Sequence, residues 1–415
     1  MDLDAFDELL TPRGQRALAE AVELVGTDPV AAATKLRKTY DAALTSAALT
    51  QAGLRERARA KFGEDAGRMY FTPHGLEQST RTEVAEHRAR RLAGTRADAP
   101  PQGLGVAGAL PAGASPAGAS LHGLRVVDAC CGVGGDFLAL ARAGCTVAAV
   151  DTDPLTVAVA RANADALGLG GRVTVSVGDA AEVRPEEYDV LFADPARRTS
   201  RGRTFDPMAY SPPWPVVLDL VSRASRACVK VAPGIPYEFI PEGAEAEWVS
   251  YKGEVKEAAL WIGQEGARRR ATLLPGGHTL APTGAEAPVG PAGRYVYEPD
   301  GAAIRAHLVG EVSEIVNGRL LDPMIAYITG DDLIDTPWAT RYEIESVLPF
   351  SGKKLRAALR ERQVGNVTIK KRGSAVDIER LRSDLRLNGE KSATIILTRI
   401  LDKPSVIICD TSPPA

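Results

Sequence analysis

The chain reads as a doubly wound α/β domain with a helical region before it and a compact α+β block after it. Three features predict this: Leu, Ala and Val at three- and four-residue spacing up to residue 94, short β-branched runs alternating with helix-length segments from residue 124, and two Ala/Gly/Pro-rich stretches between these textures. At 415 residues the chain exceeds one comfortable core. The expected division is a helical domain over 1–95, a linker over 96–120, the α/β domain over 121–265, a second linker over 266–293 and the α+β domain over 294–412.

Each element follows from local pattern. Residues 14–94 show the helical period, as in Ala31-Ala32-Ala33-Thr34-Lys35-Leu36-Arg37, interrupted by the breaker Phe71-Thr72-Pro73-His74-Gly75 and resumed from Glu77 to Leu92. From about 97 to 120 almost no large apolar side chain occurs, which suits a linker. Strands are then expected at Arg125–Asp128, Thr146–Asp151, Val173–Val177 and Val190–Asp194. Apolar runs of this kind imply a parallel sheet covered on both faces. Val229-Lys230-Val231-Ala232-Pro233-Gly234 reads as a later buried strand with its exit turn, walling the pocket at the strand ends. Past Pro275–Gly293, helices are expected over Glu298–Val316, Gly352–Arg362 and Ile378–Leu387, and strands over Val367–Lys371, Ala393–Ile400 and Ser405–Cys409.

Composition narrows the class. Hydrophobic residues at 45% and charged residues at 25% place the chain among ordinary globular proteins. A net charge of -3 means that any affinity for nucleic acid must come from a local patch. The acidic opening Met1-Asp2-Leu3-Asp4 has no basic segment followed by an apolar core, and no apolar run approaches the ~20 residues that span a bilayer, so a cytoplasmic protein without a membrane partner is expected. Cys130, Cys131, Cys145, Cys228 and Cys409 form no C-x-x-C pair, so neither a metal site nor a disulfide framework is expected.

Ligands of an open α/β sheet bind beyond the carboxyl ends of its strands, where strand order reverses. Asp128-Ala129-Cys130-Cys131-Gly132-Val133-Gly134-Gly135 lies at the first such end; its glycines let backbone N–H groups approach an anion, and Asp128, Cys130, Gly132, Gly134 and Gly135 are the expected contacts. Asp151 ends the next strand and suits ribose hydroxyls, and Asp179 with Ala180 follows the third strand and suits an adenine amine. Asp153 is expected to cap the following helix. A dinucleotide loop G-x-G-x-x-G would need glycine at 137, where Phe137 stands, so adenosine carrying an amino-acid tail fits better than a pyrophosphate.

The fourth strand ends Phe192-Ala193-Asp194-Pro195-Ala196-Arg197-Arg198. This resembles in part the [DN]-P-P-[FYW] element of nucleobase amino methyltransferases, in which the side-chain oxygen and prolyl carbonyl orient an exocyclic amine and the aromatic stacks on a flipped base. Asp194, Pro195 and Arg197 are therefore the candidate catalytic residues, with Asp194 orienting the acceptor and drawing off its proton. Arg198, like Arg197, suits a phosphate, or else simply faces solvent or binds a carboxylate within the protein. Tyr210 and Trp214, in Tyr210-Ser211-Pro212-Pro213-Trp214, are the candidate stacking residues, or else parts of a rigid packed loop.

With these motifs the chain resembles bacterial class I S-adenosylmethionine-dependent methyltransferases that carry a C-terminal THUMP-like domain. Its core is similar to that of trimethylguanosine synthase-type RNA methyltransferases, through Thr72-Pro73 and Val127-Asp128-Ala129-Cys130-Cys131-Gly132-Val133-Gly134-Gly135. The resemblance implies a Rossmann-like fold, S-adenosyl-L-methionine as cofactor and RNA, such as transfer RNA, as partner. Ala196-Arg197 replaces the proline and tryptophan of the guanine-specific enzymes, so a guanine-cap substrate does not carry over. Lys353, Lys354, Arg356, Arg360, Arg362, Lys370, Lys371 and Arg372, opposed only by Glu361, form the basic patch, in which Lys353, Lys354 and Lys371 are the candidate RNA contacts, or else a solvated face. The helix from Arg81 to Arg91 offers a second, mixed-charge surface, or else simply covers the cofactor pocket. The competing readings are a methyltransferase of small molecules or proteins, and a non-catalytic RNA-binding protein that retains the cofactor fold.

Overall fold

The computed structural model describes residues 1–94, 123–196, 198–199, 202–203, 206–264 and 266–410. The linker expected over 96–120 lies outside the described residues. The chain divides into two compact units, residues 1–245 with 257–266 and residues 246–256 with 267–415. Among the described residues no helix is long and apolar enough to cross a membrane.

Six helices open the first unit: α1 (Leu3–Leu10), α2 (Pro12–Val22), α3 (Pro29–Leu36), α4 (Ala42–Phe62), α5 (Pro73–Gln78) and α6 (Thr82–Gly94). Their starts follow from local chemistry. Asp2, Thr11, Asp28, Asp41 and Thr72 each accept a first-turn backbone N–H, and proline begins α2, α3 and α5. There follow β1 (Arg125–Ala129), α7 (Gly135–Arg142), β2 (Thr146–Asp151), α8 (Pro154–Ala166), β3 (Val173–Val177), β4 (Val190–Ala193), the short ribbon β5 (Arg198–Thr199) and β6 (Gly202–Arg203), α9 (Trp214–Arg223) and β7 (Ala227–Val231). The strands β8 (Glu245–Tyr251) and β9 (Glu254–Ile262) are divided between the units. Within the first unit the strand order is β3-β2-β1-β4-β7-β9, the first five parallel and β9 antiparallel to β7. Strand order thus reverses between β1 and β4, where a crevice is expected.

The boundary expected at residue 95 is not a boundary of packing. Phe6, Leu18, Tyr70 and Phe71 share one apolar cluster with Val126, Phe137, Val159 and Trp261. A parallel sheet must be covered on both faces, and these helices supply cover that the short α/β segment lacks. Two side-chain amides seal the join. Asn163 accepts from the Tyr70 N–H at 2.6 Å and donates to the carbonyls of Tyr70 at 3.0 Å and Val133 at 2.8 Å, while Gln51 brackets the N–H and carbonyl of Phe71. Asn163→Ala would orphan three buried backbone groups; a loss of about 2–4 kcal/mol in chemical denaturation is expected.

The second unit begins with residues 246–251 of β8, which run parallel to β10 (Arg269–Leu274); β11 (His278–Leu280) pairs antiparallel with β10. Part of the stretch expected as a linker over 266–293 is therefore strand. Ala271, Leu273 and Leu274 bury themselves through pairing with distant β8, which local composition does not signal. Then come β12 (Tyr295–Pro299), α10 (Gly301–Arg305), α11 (Val309–Ile315), β13 (Arg319–Asp322), β14 (Ile325–Gly330), β15 (Ala339–Pro349), α12 (Gly352–Glu361), β16 (Val364–Lys371), α13 (Ile378–Leu385), β17 (Lys391–Ile400) and β18 (Lys403–Cys409). The seven strands from β12 onward form one sheet ordered β13-β14-β12-β15-β18-β17-β16. Leu355 and Leu359 of α12 and Leu381 and Leu385 of α13 pack on Ile395, Leu397, Val406 and Ile408.

Candidate active site

The turn from β1 into α7 is built for close approach. Cys130 (φ 72°), Gly132 (φ 55°) and Gly134 (φ 108°) adopt left-handed backbone, which costs glycine little. The N–H groups of Cys130 and Cys131 both donate to the Val150 carbonyl, at 2.9 and 3.0 Å, pinning the turn to β2. At Gly134 a Cβ would meet the Phe137 ring at 2.7 Å, and at Gly135 the Thr80 backbone nitrogen at 2.9 Å. These glycines therefore admit Phe137 and the segment leading into α6. Burial, reinforced by Asp128 and Asp151, pushes the Cys130 and Cys131 thiols well above their usual range, which leaves neither poised as a thiolate.

Asp151 holds the loop from the end of β2: its Oδ2 accepts from the Gly132 N–H at 3.0 Å and its Oδ1 from the Asp153 N–H at 3.1 Å. Burial raises its pKa. Asp153 caps α8 through the Thr156 N–H. Asp179 is exposed and accepts from the Ala181 N–H at 2.9 Å. Cys130, Asp151, Asp179 and Ala180 line one crevice of about 270 Å³, together with Ala196 and Pro212. The structure thus brings together residues drawn from the ends of three strands.

Asp128 is 1% exposed, and neither carboxylate oxygen has a hydrogen-bond partner among the described residues. Burial, then the carboxylates of Asp136, Asp194 and Asp151, hold its pKa well above the usual range. A cation with N–H donors would satisfy such a group. The ammonium of an amino-acid tail is such a group, so the donor set fits the cofactor that the loop suggests.

Across the reversal point, Asp194 follows β4 and is tied into a buried ionic network. Its Oδ2 receives Lys230 Nζ at 2.5 Å; the same ammonium donates to Thr80 Oγ1 at 2.9 Å, and Thr80 donates to Asp136 Oδ2 at 2.5 Å. Arg88 of α6 donates to Asp136 Oδ1 at 3.0 and 2.7 Å and to Glu257 of β9, and stands over the Phe192 ring. Burial raises the Asp136 carboxyl, but Arg88, Lys230 and the Thr80 hydroxyl outweigh it and hold it below the usual value. Lys230, Thr80, Arg88, Asp136 and Glu257 were not singled out by sequence reasoning. The available signal was one lysine inside Ala227-Cys228-Val229-Lys230-Val231, a strand buried at all five positions.

Other expected contacts fall elsewhere. Tyr210 and Trp214 are each 3% exposed and meet edge to face at 6.4 Å, with the Tyr210 hydroxyl accepting from the Ala232 N–H at 3.3 Å. Of the two readings given them, this burial is that of the rigid packed loop, and Ser211 between them pairs with Ala196. Pro195 is buried. Arg197 lies outside the described residues, and of Arg198 only its place in β5 is described. In the second unit Lys353, Lys354 and Lys371 are exposed. Arg362 pairs with Glu345, and Lys370 and Arg372 pair with Glu298. Among the described residues no group of three His, Cys, Asp or Glu side chains is arranged to hold a metal ion.

Residues 124–217 match the RNA cap guanine-N2 methyltransferase family model, residues 339–411 a THUMP domain-like model and residues 2–58 a domain of unknown function. A candidate methyltransferase from Porphyromonas gingivalis W83 superposes with a TM-score of 0.73 over 96% of this chain and 98% of its own, at 21% identity, which shows a shared fold. An uncharacterized RNA methyltransferase of Parasynechococcus marenigrum (strain WH8102) is 36% identical over 91 residues, 21% of this chain and 20% of its own. An uncharacterized S-adenosylmethionine-dependent methyltransferase of Mycobacterium tuberculosis is 35% identical over 365 residues, 84% of this chain and 90% of its own. Identity of that extent across most of both chains carries the assignment: the chain belongs to the S-adenosylmethionine-dependent methyltransferases.

Proposed function

We propose that this enzyme methylates an amine of a nucleobase in RNA, with Asp194 orienting the acceptor. The observation that carries the reading is the Asp194 carboxylate held at the end of β4 by Lys230, one strand away from the glycine-rich turn. S-adenosylmethionine, when bound, supplies an electrophilic sulfonium methyl. Asp128 and the Cys130–Gly135 turn would hold its amino-acid end, Asp151 its ribose and Asp179 with Ala180 its adenine. Asp194 would align the acceptor's lone pair with that methyl and would take the N–H proton released on N–C bond formation, passing it to water.

RNA is favoured by three features. The core matches a family model of RNA methyltransferases, the C-terminal block matches a THUMP-like model, and Lys353, Lys354 and Lys371 are exposed cations suited to phosphates. The test is transfer of labelled methyl to total RNA from a strain lacking the gene, followed by nucleoside mass analysis. An N-methylated base in a structured RNA, transfer RNA included, is the expected product. Cofactor uptake without label in RNA would move the assignment to a protein or small-molecule acceptor.

A further inference from the structure

We infer that Lys230 is a positioning residue of the transfer site: its ammonium fixes the Asp194 carboxylate as an ionised hydrogen-bond acceptor for the incoming amine. The inference rests on the reading of Asp194 given above and adds the residue that acts through it.

Direction within the network follows from proton counting. The single hydroxyl proton of Thr80 is committed to Asp136 at 2.5 Å, so Thr80 meets Lys230 only as an acceptor. Lys230 must therefore arrive as a donor to both Thr80 and Asp194. Burial would strip its proton, but the carboxylates of Asp194, Glu257 and Asp136 more than restore it and hold its pKa above the usual lysine value, against the repulsion of Arg88. The charges facing it thus come from the end of β4, from α7, from β9 and from α6.

A methionine of similar volume would sit in β7 at lower desolvation cost, since buried ion pairs are weak sources of stability. The lysine is explained by what it presents: its own side chain is 6% exposed, whereas that of Asp194 is 23% exposed. One end of a buried chain of charges thus reaches solvent, and that end is the carboxylate. Paired with an ammonium, Asp194 is a weak base but a well-held acceptor. It aligns an N–H during attack and takes the proton only after N–C bond formation has made the nitrogen cationic.

The test uses the full chain and Lys230→Met. Three quantities are read: titration of the ¹³C-labelled Asp194 carboxyl, assigned with Asp194→Asn; S-adenosylmethionine affinity by calorimetry; and single-turnover methyl transfer to RNA from a strain lacking the gene. The expected result is an upward move of the Asp194 titration by about one pH unit or more, cofactor affinity within about threefold, and transfer slowed about 100-fold with its acidic limb shifted upward. Thr80→Val keeps every charge and is the second variant should Lys230→Met not fold; it should move the titration in the same direction and slow transfer about 3- to 10-fold. An Asp194 titration unmoved in the folded variant, or an unchanged transfer rate, overturns the inference. Should the wild type label no RNA, the acceptor reading fails by itself, and the Asp194 titration still decides the role of Lys230.

Discussion

Replacing Asp128 with asparagine is expected to weaken S-adenosylmethionine uptake roughly 30- to 150-fold, about 2–3 kcal/mol, while making the cofactor-free protein more stable. Both effects arise from one buried carboxylate without hydrogen-bond partners among the described residues. Its raised pKa sets the sign. As pH climbs through the ordinary aspartate range, the unfolded chain releases this proton and the folded chain keeps it, so stability falls with pH until the folded group also ionises. Asparagine removes that liability, and at pH 8 a melting temperature higher by roughly 2–6 °C is expected. Binding an ammonium favours the ionised form, so cofactor affinity should rise with pH through the same window and protons should be released on binding. Calorimetry in buffers of different ionisation enthalpy measures that release, and equal heats across buffers would refute the assignment of Asp128 to the ammonium.

Arg88→Met should be the most damaging single change to the first unit. It leaves Asp136 and Glu257 buried without the guanidinium that bridges them. Breaking such a pair from one side costs about 3–5 kcal/mol, or roughly 6–20 °C in melting temperature. The direction with pH follows from Asp136, whose carboxyl is held below the usual value in the intact protein. Its contribution is present above the ordinary aspartate range and is lost as pH falls through the depressed value. The deficit of the variant should accordingly be greatest near neutrality and shrink toward acid, as the stranded carboxylates take up protons. Denaturation at pH 7 and pH 4 tests this; equal deficits at both would mean that Arg88 acts by packing on Phe192 rather than by charge.

What could be read from the chain depended on whether a residue's role is local. The strand ends bearing Asp128, Asp151, Asp179 and Asp194 were legible because parallel strands are continuously apolar and a carboxylate at their ends stands out. The glycines at 132, 134 and 135 were legible because they mark left-handed or crowded backbone. Lys230 was not, since one lysine within an apolar strand gives no hint of its partners at the end of β4 and in the segment before α6. Arg88 was read with a mixed-charge surface, yet it is buried against β9, a contact across 169 residues of sequence. The strand β15 was missed for the opposite reason: its alternation of half-buried and exposed positions, with Arg, Tyr, Glu and Ser, lacks a clean apolar face. Tyr210 and Trp214 left two readings open, because aromatic residues beside prolines serve a corner as readily as a ligand.

The recognisable methyltransferase segment, residues 124–217, does not contain the partners of its own buried acids. A graft cut at those limits would keep the turn and both Asp136 and Asp194, but leave behind Thr80, Arg88, Lys230 and Glu257, which neutralise and orient them. Such a fragment carries acids without their counterions. For shuffling or minimisation, the transferable module of this enzyme therefore includes the opening helices and β7 with β9, and the borders drawn by sequence similarity fall inside it.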